Sequence, residues 1–517
     1  MMGWIKKQWK RRGKRMRRWR LTLFGVLLLL FIGGGIVWFR WNQAPPGEEA
    51  SFGKESWTVQ PSLEGVNNAY RAKITVNPEE KVIQGDLTAW ILNDTGKEQD
   101  HVYFHIYPNL FRPENSLRGS VWEEVLGKDP KPGWMKVEGV WVQGKKVDFI
   151  VKDTLLEIPL DWKKGEKTAV MIRFSFGLPQ NNGRLSYDDH AMWLGNWLPI
   201  KAVYDEEGWN LDPYYPIGDP FYSDIANYEV EVRLPQGFQV ASTGVEVGTP
   251  EIEQGNMEIH HYRADKVRDF AMVVMDKEYT YKEGKAGDVR VLTWHKREDS
   301  AEVAERLHQV AISSLTAYSQ KYGGYPYPEY DVVATGGFFG GMEYPGLIFA
   351  EGSYFRRNDP YGVLVVAHET AHQWWYGLVG NDEVEHPWMD ESLTEYATLN
   401  YLLEHEKSWA PSYLRLKESA IEKAKVYESR GERISASVNQ FTSWDSYGVM
   451  IYEVGPLMFY EWEQKVGKEE MEKMLKDYFS RYRYKNATPE DFLQVVKDHF
   501  GDRGVRFMKD WLEGKEH

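Results

Sequence analysis

Within a 517-residue chain, His368-Glu369-Thr370-Ala371-His372 has the residue types and the spacing for metal chemistry. Residues four apart share one face of a helix, so both imidazoles can point at one metal ion. Glu369 sits beside that face, placed to hold a water against the metal without ligating it. Val363 to Ala367 before the motif and Gln373 to Tyr376 after it give the apolar setting of a buried helix. That helix is expected to enter through Asp359-Pro360 and to stop near Gly377 or Gly380. A helix with two chance histidines is the competing reading. Two histidines are also one short of the three protein ligands of a catalytic zinc site.

The chain has no cysteine, so any metal must be held by histidine and carboxylate. Eighteen residues separate His372 from Glu391, which opens a further helical pattern from Asp390 to Leu403. A carboxylate in that first turn either completes a His₂Glu set with an open fourth position or serves as a solvated or capping glutamate. Glu395 shares the face of Glu391, as a partner to a histidine ligand or as an exposed helix acid. His386 falls in a loop and is read as a bystander.

The H-E-x-x-H motif followed by eighteen residues and Glu resembles the aminopeptidase N family of gluzincin zinc metallopeptidases, which includes leukotriene A4 hydrolase. Gly340-Gly341-Met342-Glu343-Tyr344 occupies the place of that family's Gly-x-Met-Glu-Asn strand. Tyr452-Glu453-Val454-Gly455 stands 61 residues beyond Glu391, where the family carries a Tyr-Glu-x-Gly setting. Similar features run from about residue 70 to the C-terminus, Asp269 to Met275 resembling the last β-domain segment. The resemblance implies one Zn²⁺ held by His368, His372 and Glu391, with Glu369 as general base and Tyr452 as oxyanion donor. It also implies that Glu343 holds the substrate's ammonium, and that Gly340, Gly341 and Met342 lie along the peptide as an added strand. Tyr344 departs from the family's Asn, which is expected to reshape the pocket beside the amine. Asn196 is the candidate for a second amine-binding side chain.

Around these residues, composition bounds the architecture. At 42% hydrophobic and 15% aromatic the chain reads as folded, and its length suits several domains. Tyr70 to Val76, Val82 to Leu92, His101 to Tyr107, Thr168 to Phe176, Tyr228 to Leu234 and Asp269 to Met275 read as strands. They predict an antiparallel, sandwich-like β domain over residues 57–277. Gly195 to Tyr222, rich in Trp, Tyr, Pro and Gly, reads equally as a cleft-lining loop or an aromatic surface patch. Ser300 to Tyr322 has helical periodicity, Tyr330 to Ala334 and residues 346–350 read as strands, and the remainder is mainly helical. The expected class is α+β, with residues 278–517 forming a thermolysin-like zinc peptidase domain. Many members of the family continue with a large helical domain closing over the site. Its absence from this sequence predicts a more open cleft.

The N-terminus has a different character. Residues 1–40 hold eleven Lys/Arg and no Asp/Glu; removing them from a net −14 leaves −25 on the rest. So acidic a body is a poor candidate for phosphate-backbone binding, which needs a basic face, and no nucleic-acid partner is expected. Residues 1–20 read as a basic cytoplasmic arm, and the uncharged run 21–39 as a single membrane span. Residues 40–56 read as a linker. A cleaved signal peptide is the competing reading. The sequence thus predicts an N-in, membrane-anchored zinc aminopeptidase acting on peptides outside the cell. An endopeptidase of the same fold and a tethered peptide-binding protein with a vestigial site are the alternatives.

Overall fold

The computed structural model describes residues 63–115, 117, 119–337 and 340–515. The basic arm, the 21–39 span and the linker lie outside the described residues. Among the described residues no helix is long and apolar enough to cross a membrane.

From Asn68 to Met275 the chain is built of strands, and the alternation in the sequence explains why. Asn68–Asn77 buries Tyr70, Ala72, Ile74 and Val76 while Arg71, Lys73 and Thr75 face outward. It pairs antiparallel with Val82–Leu92, which pairs in turn with Lys167–Gly177. The expected wholly antiparallel sheet needs one correction. On its other edge Asn68–Asn77 runs parallel to Ala226–Pro235, so the nine-stranded sheet is mixed. Two four-stranded sheets pack with it around a core that includes Phe104, Ile158, Phe174 and Trp197. Trp134–Val142, Leu155–Trp162 and Met257–Val267 are further strands that the sequence reading does not single out; Leu155–Trp162 buries Leu156, Ile158 and Trp162.

The second half starts with a five-stranded sheet made of Tyr279–Ala286, Val289–Lys296, Glu329–Thr335, Leu347–Glu351 and Gly341–Met342, in that spatial order. The short strand Gly341–Met342 lies at its edge and pairs antiparallel with Leu347–Glu351. Behind the sheet stand the helix Ala301–Lys321, capped by Ser300, and the histidine helix Pro360–Ala371. The latter starts as expected: Asp359 accepts from the Tyr361 N–H and Pro360 fills the first turn. It ends earlier than expected, at Ala371 with His372 as cap, and Trp374 and Trp375 follow in turns. The helices Leu393–His405, Ala410–Glu428, Gly455–Val466, Lys468–Tyr482 and Pro489–Leu512 complete a separate aromatic-rich core.

A third core joins the β-rich half to the helical half. Trp193, Val273 and Met275 from one side meet Leu292, Val333, Phe349, Met342 and Tyr344 from the other. The fold is therefore α+β, β-rich first and helical second, and the edge strand Gly341–Met342 lies at the seam.

Candidate active site

The histidine helix delivers both imidazoles to one point. His368 Nε2 and His372 Nε2 are 3.0 Å apart, and Glu391 Oε2 lies 3.2 and 3.3 Å from them. Three ligands about 2.05 Å from a tetrahedral zinc stand roughly 3.3 Å apart, so this triangle fits one zinc ion. Glu391 comes from a π-helical turn, Trp388–Ser392, which runs into the helix Leu393–His405. Such turns are concentrated at functional sites because the extra residue re-aims a side chain.

The other ring nitrogens are held by carboxylates. His368 Nδ1 donates to Glu395 Oε2 at 2.7 Å, and His372 Nδ1 to Asp390 Oδ1 at 2.6 Å. This fixes the tautomer that leaves Nε2 free to ligate and strengthens each imidazole as a donor to a metal. The Glu395 alternative is thereby decided: it is 2% exposed and backs a ligand. It is held in turn by Lys417, fully buried on the helix Ala410–Glu428, through a 2.7 Å ion pair, and by the Tyr413 hydroxyl. Burial would raise the Glu395 carboxyl, but Lys417 and His368 hold it at about 2. Burial also works against an ionised Glu391, and the two imidazoles keep it well below the usual range.

Glu369 is 5% exposed, and its Oε2 has no partner among the described residues. Burial, helped by Glu391 and Asp219 and opposed by the imidazoles, raises it to about 7. A base poised there accepts a proton readily at neutral pH. Opposite it lies Gly341, where a Cβ would sit 2.1 Å from Glu369 Oε1. A side chain at Gly341 would therefore crowd the buried base. Gly340 takes φ +86°, a backbone conformation that also favours glycine. Gln373, directly after the second histidine, clamps the strand: its Nε2 donates to the Tyr344 carbonyl at 3.0 Å and its Oε1 accepts from Gly346 N at 2.9 Å.

Met342 is buried and its sulfur accepts from Arg184 Nη1 at 3.1 Å. Glu343, 4% exposed, lies with Glu369 and His372 in one group whose ligand atoms are within 4.8 Å of one another. Burial and the neighbouring acids push Glu343 well above the usual carboxylate range. Tyr344 turns away from this group: it is 1% exposed, and its hydroxyl donates to Asn196 Oδ1 at 2.7 Å, filling the space that Gly195 leaves open. The Asn-to-Tyr departure thus fastens the strand to the β-rich half. Asn196, the candidate second amine contact, has its carbonyl oxygen engaged by Tyr344.

Tyr452 arrives from a second π-helical segment, Gly448–Val454, and its hydroxyl donates to Glu391 Oε1 at 2.5 Å. The ring lies 5.9 Å from that of His368, and the residue is half-buried. His386, the expected bystander, has its backbone N–H tied to the Asp382 carbonyl and is not among the clustered ligands.

Two contributors had no signal in the sequence pattern. Asp219 from the aromatic loop pairs with Arg184 at 2.6 Å, and it is raised by burial and then by the facing Glu391. Gly195 to Tyr222 therefore reaches the site and is not a surface patch. Glu383, in the loop between the second and third ligands, is the other.

A family model described as "Peptidase family M1 domain" matches residues 307–511. Among curated proteins, leucine aminopeptidase 2-2 of Meyerozyma guilliermondii is 27% identical over 217 residues, 37% of this chain and 34% of that protein. Aminopeptidase N of Haemonchus contortus is 25% identical over 396 residues, 71% of this chain and 39% of that protein. The chain spans between a quarter and two fifths of the length of the curated relatives it matches. Among solved structures, the M1 zinc metallopeptidase of Deinococcus radiodurans, in a mutant form bound to a Tyr-Ser-Ala substrate, is similar with a TM-score of 0.63. That likeness covers 87% of this chain and 95% of the other at 17% identity, and it is a likeness of fold.

Proposed function

We propose that this chain is a member of peptidase family M1 and a zinc-dependent aminopeptidase with a thermolysin-like catalytic half. The observation that carries the reading is the His368–His372–Glu391 triangle with the Gly341 strand pressed against Glu369. Zinc held there supplies Lewis-acid polarisation of the scissile carbonyl and acidifies the attacking water. Glu369 removes the water's proton through its unpartnered oxygen and returns it to the leaving amine. The Tyr452 hydroxyl turns from Glu391 to the oxygen on which negative charge develops. Glu343 accepts the substrate's free ammonium, while the backbone of Gly340 to Met342 runs along the peptide as a strand partner.

The test compares peptides with free and N-acetylated termini, with and without chelator. The aminopeptidase reading expects chelator-sensitive release of N-terminal residues from the free form only. Equal cleavage of the acetylated form would identify an endopeptidase instead. Turnover unchanged in Glu369→Gln would refute the mechanism.

The hydrophobic run 21–39 behind a basic arm supports anchoring in the cell membrane, N-terminus inside and catalytic body outside. Fractionation of the full chain checks this. Recovery in the soluble fraction, or cleavage of the body by external protease failing in intact cells, would count against it.

A further inference from the structure

Glu343 belongs to two groups of side chains. One, with Glu369 and His372, faces the reaction centre. The other, with Glu383 and Asp390, again has its ligand atoms within 4.8 Å of one another. The second group is at least 96% buried at every member, and it is short of partners. Neither oxygen of Glu383 nor Asp390 Oδ2 has a hydrogen-bond donor among the described residues. The guanidinium whose field reaches Glu383 is Arg268, and its N–H groups are directed elsewhere, at the carbonyls of Tyr376, Ser223 and Lys485 and at Asn486.

Buried carboxylates without donors are strongly unfavourable unless they are protonated or meet a cation. A primary ammonium carries three N–H donors. Three carboxylate oxygens at charge-assisted distances of about 2.8 Å from one nitrogen stand roughly 4.6 Å apart. The ligand atoms of this group, all within 4.8 Å of one another, allow that arrangement. We propose that Glu343, Glu383 and Asp390 form a three-carboxylate socket for the primary ammonium of the substrate, completed by Glu383. The inference rests on the reading above that Glu343 meets the substrate amine, and it adds the residue that makes the contact selective. Glu383 comes from the loop between the second and third zinc ligands, so amine recognition and metal binding are built on one segment. The socket discriminates by donor count: an N-methylated or N-acylated terminus leaves at least one buried oxygen without a partner.

The test is calorimetric titration of the zinc-loaded full chain with leucine hydroxamate and with 4-methylpentanohydroxamate, which differ only in the α-ammonium. The wild type is expected to prefer the amine-bearing ligand. Glu383→Gln, which keeps the volume and removes the charge, should reduce that preference about tenfold to hundredfold, as expected for a charge-assisted contact, while affinity for the des-amino ligand stays within about twofold. Glu383→Asp, which keeps the charge, should fall between the two, so the proposal does not hang on one variant's folding. A preference that survives Glu383→Gln overturns the socket alone. A wild type without preference overturns the aminopeptidase reading along with it. A second equivalent of bound zinc, lost in Glu383→Gln, would replace the ammonium with a metal ion and overturn the assignment.

Discussion

At the scale of single residues, the burial of Glu369 sets both its reactivity and its vulnerability. Glu369→Gln should lower kcat by about 10²- to 10⁴-fold while bound zinc, read by metal analysis, stays at one equivalent, because the ligating atoms are untouched. Tyr452→Phe should lower kcat by about 10²- to 10³-fold with KM nearly unchanged, since its hydroxyl acts on charge that appears only in the transition state. An equal rise in KM would instead make Tyr452 a substrate-binding group. Away from the site, His105 is buried against Tyr107, and burial lowers it to about 4. Its unfolded counterpart titrates near 6.5, so the unfolded chain binds the extra proton first as pH falls. Stability from this group is complete above about pH 6.5 and is lost progressively down to about pH 4, a total of about 3 kcal/mol. Urea midpoints at pH 7.5 and pH 4.5 should therefore converge more in His105→Leu than in the wild type.

Between elements, the helix Ala410–Glu428 matters through one side chain. Lys417 donates to Glu395 and also to the Tyr452 carbonyl at 2.7 Å, so it joins the support of a zinc ligand to the segment carrying the oxyanion donor. Lys417→Met should weaken zinc binding about 10- to 100-fold in chelator competition, as expected when the group orienting a ligand is lost. An unchanged zinc affinity would leave Lys417 a packing residue. This connection also marks the boundary of what the sequence discloses. The pairing of the two histidines and the face Glu395 shares with Glu391 follow from helical spacing, which is fixed by backbone geometry, whereas Glu391 as third ligand is implied by the family resemblance. Lys417, Arg184 and Asp219 reach the site from other elements, and no periodicity relates them to it. The π-helical turns under Glu391 and Tyr452 are invisible for a different reason: segments of 5 and 7 residues are too short for a shift in period to show in the sequence. In the β-rich half the clean alternation of Asn68–Asn77 is readable, whereas its parallel partner Ala226–Pro235, some 150 residues on, is a matter of topology.

For the molecule as a whole, zinc ties the histidine helix to the third-ligand turn, and its removal should be felt globally. Chelation should lower the thermal midpoint by several degrees and zinc should restore it, in Glu369→Gln as in the wild type. Binding at a thousand times its dissociation constant adds about 4 kcal/mol to the folded state. A midpoint indifferent to chelator would show that the carboxylate network holds the ligands unaided. The loop between the second and third ligands is framed from farther away. Val379–Gly380 pairs with Lys485–Asn486, and Arg268 lies in the notch left by Gly380, bonded to Tyr376, Ser223 and the same Lys485–Asn486 pair. Synthesis therefore separates the ligands from their frame in time. Glu391 is made about 95 residues before Asn486, which at about 5 to 20 residues per second is roughly 5 to 19 seconds. Throughout that interval the nascent chain carries all three zinc-binding side chains while the strand that frames the loop between the second and third of them has yet to be made.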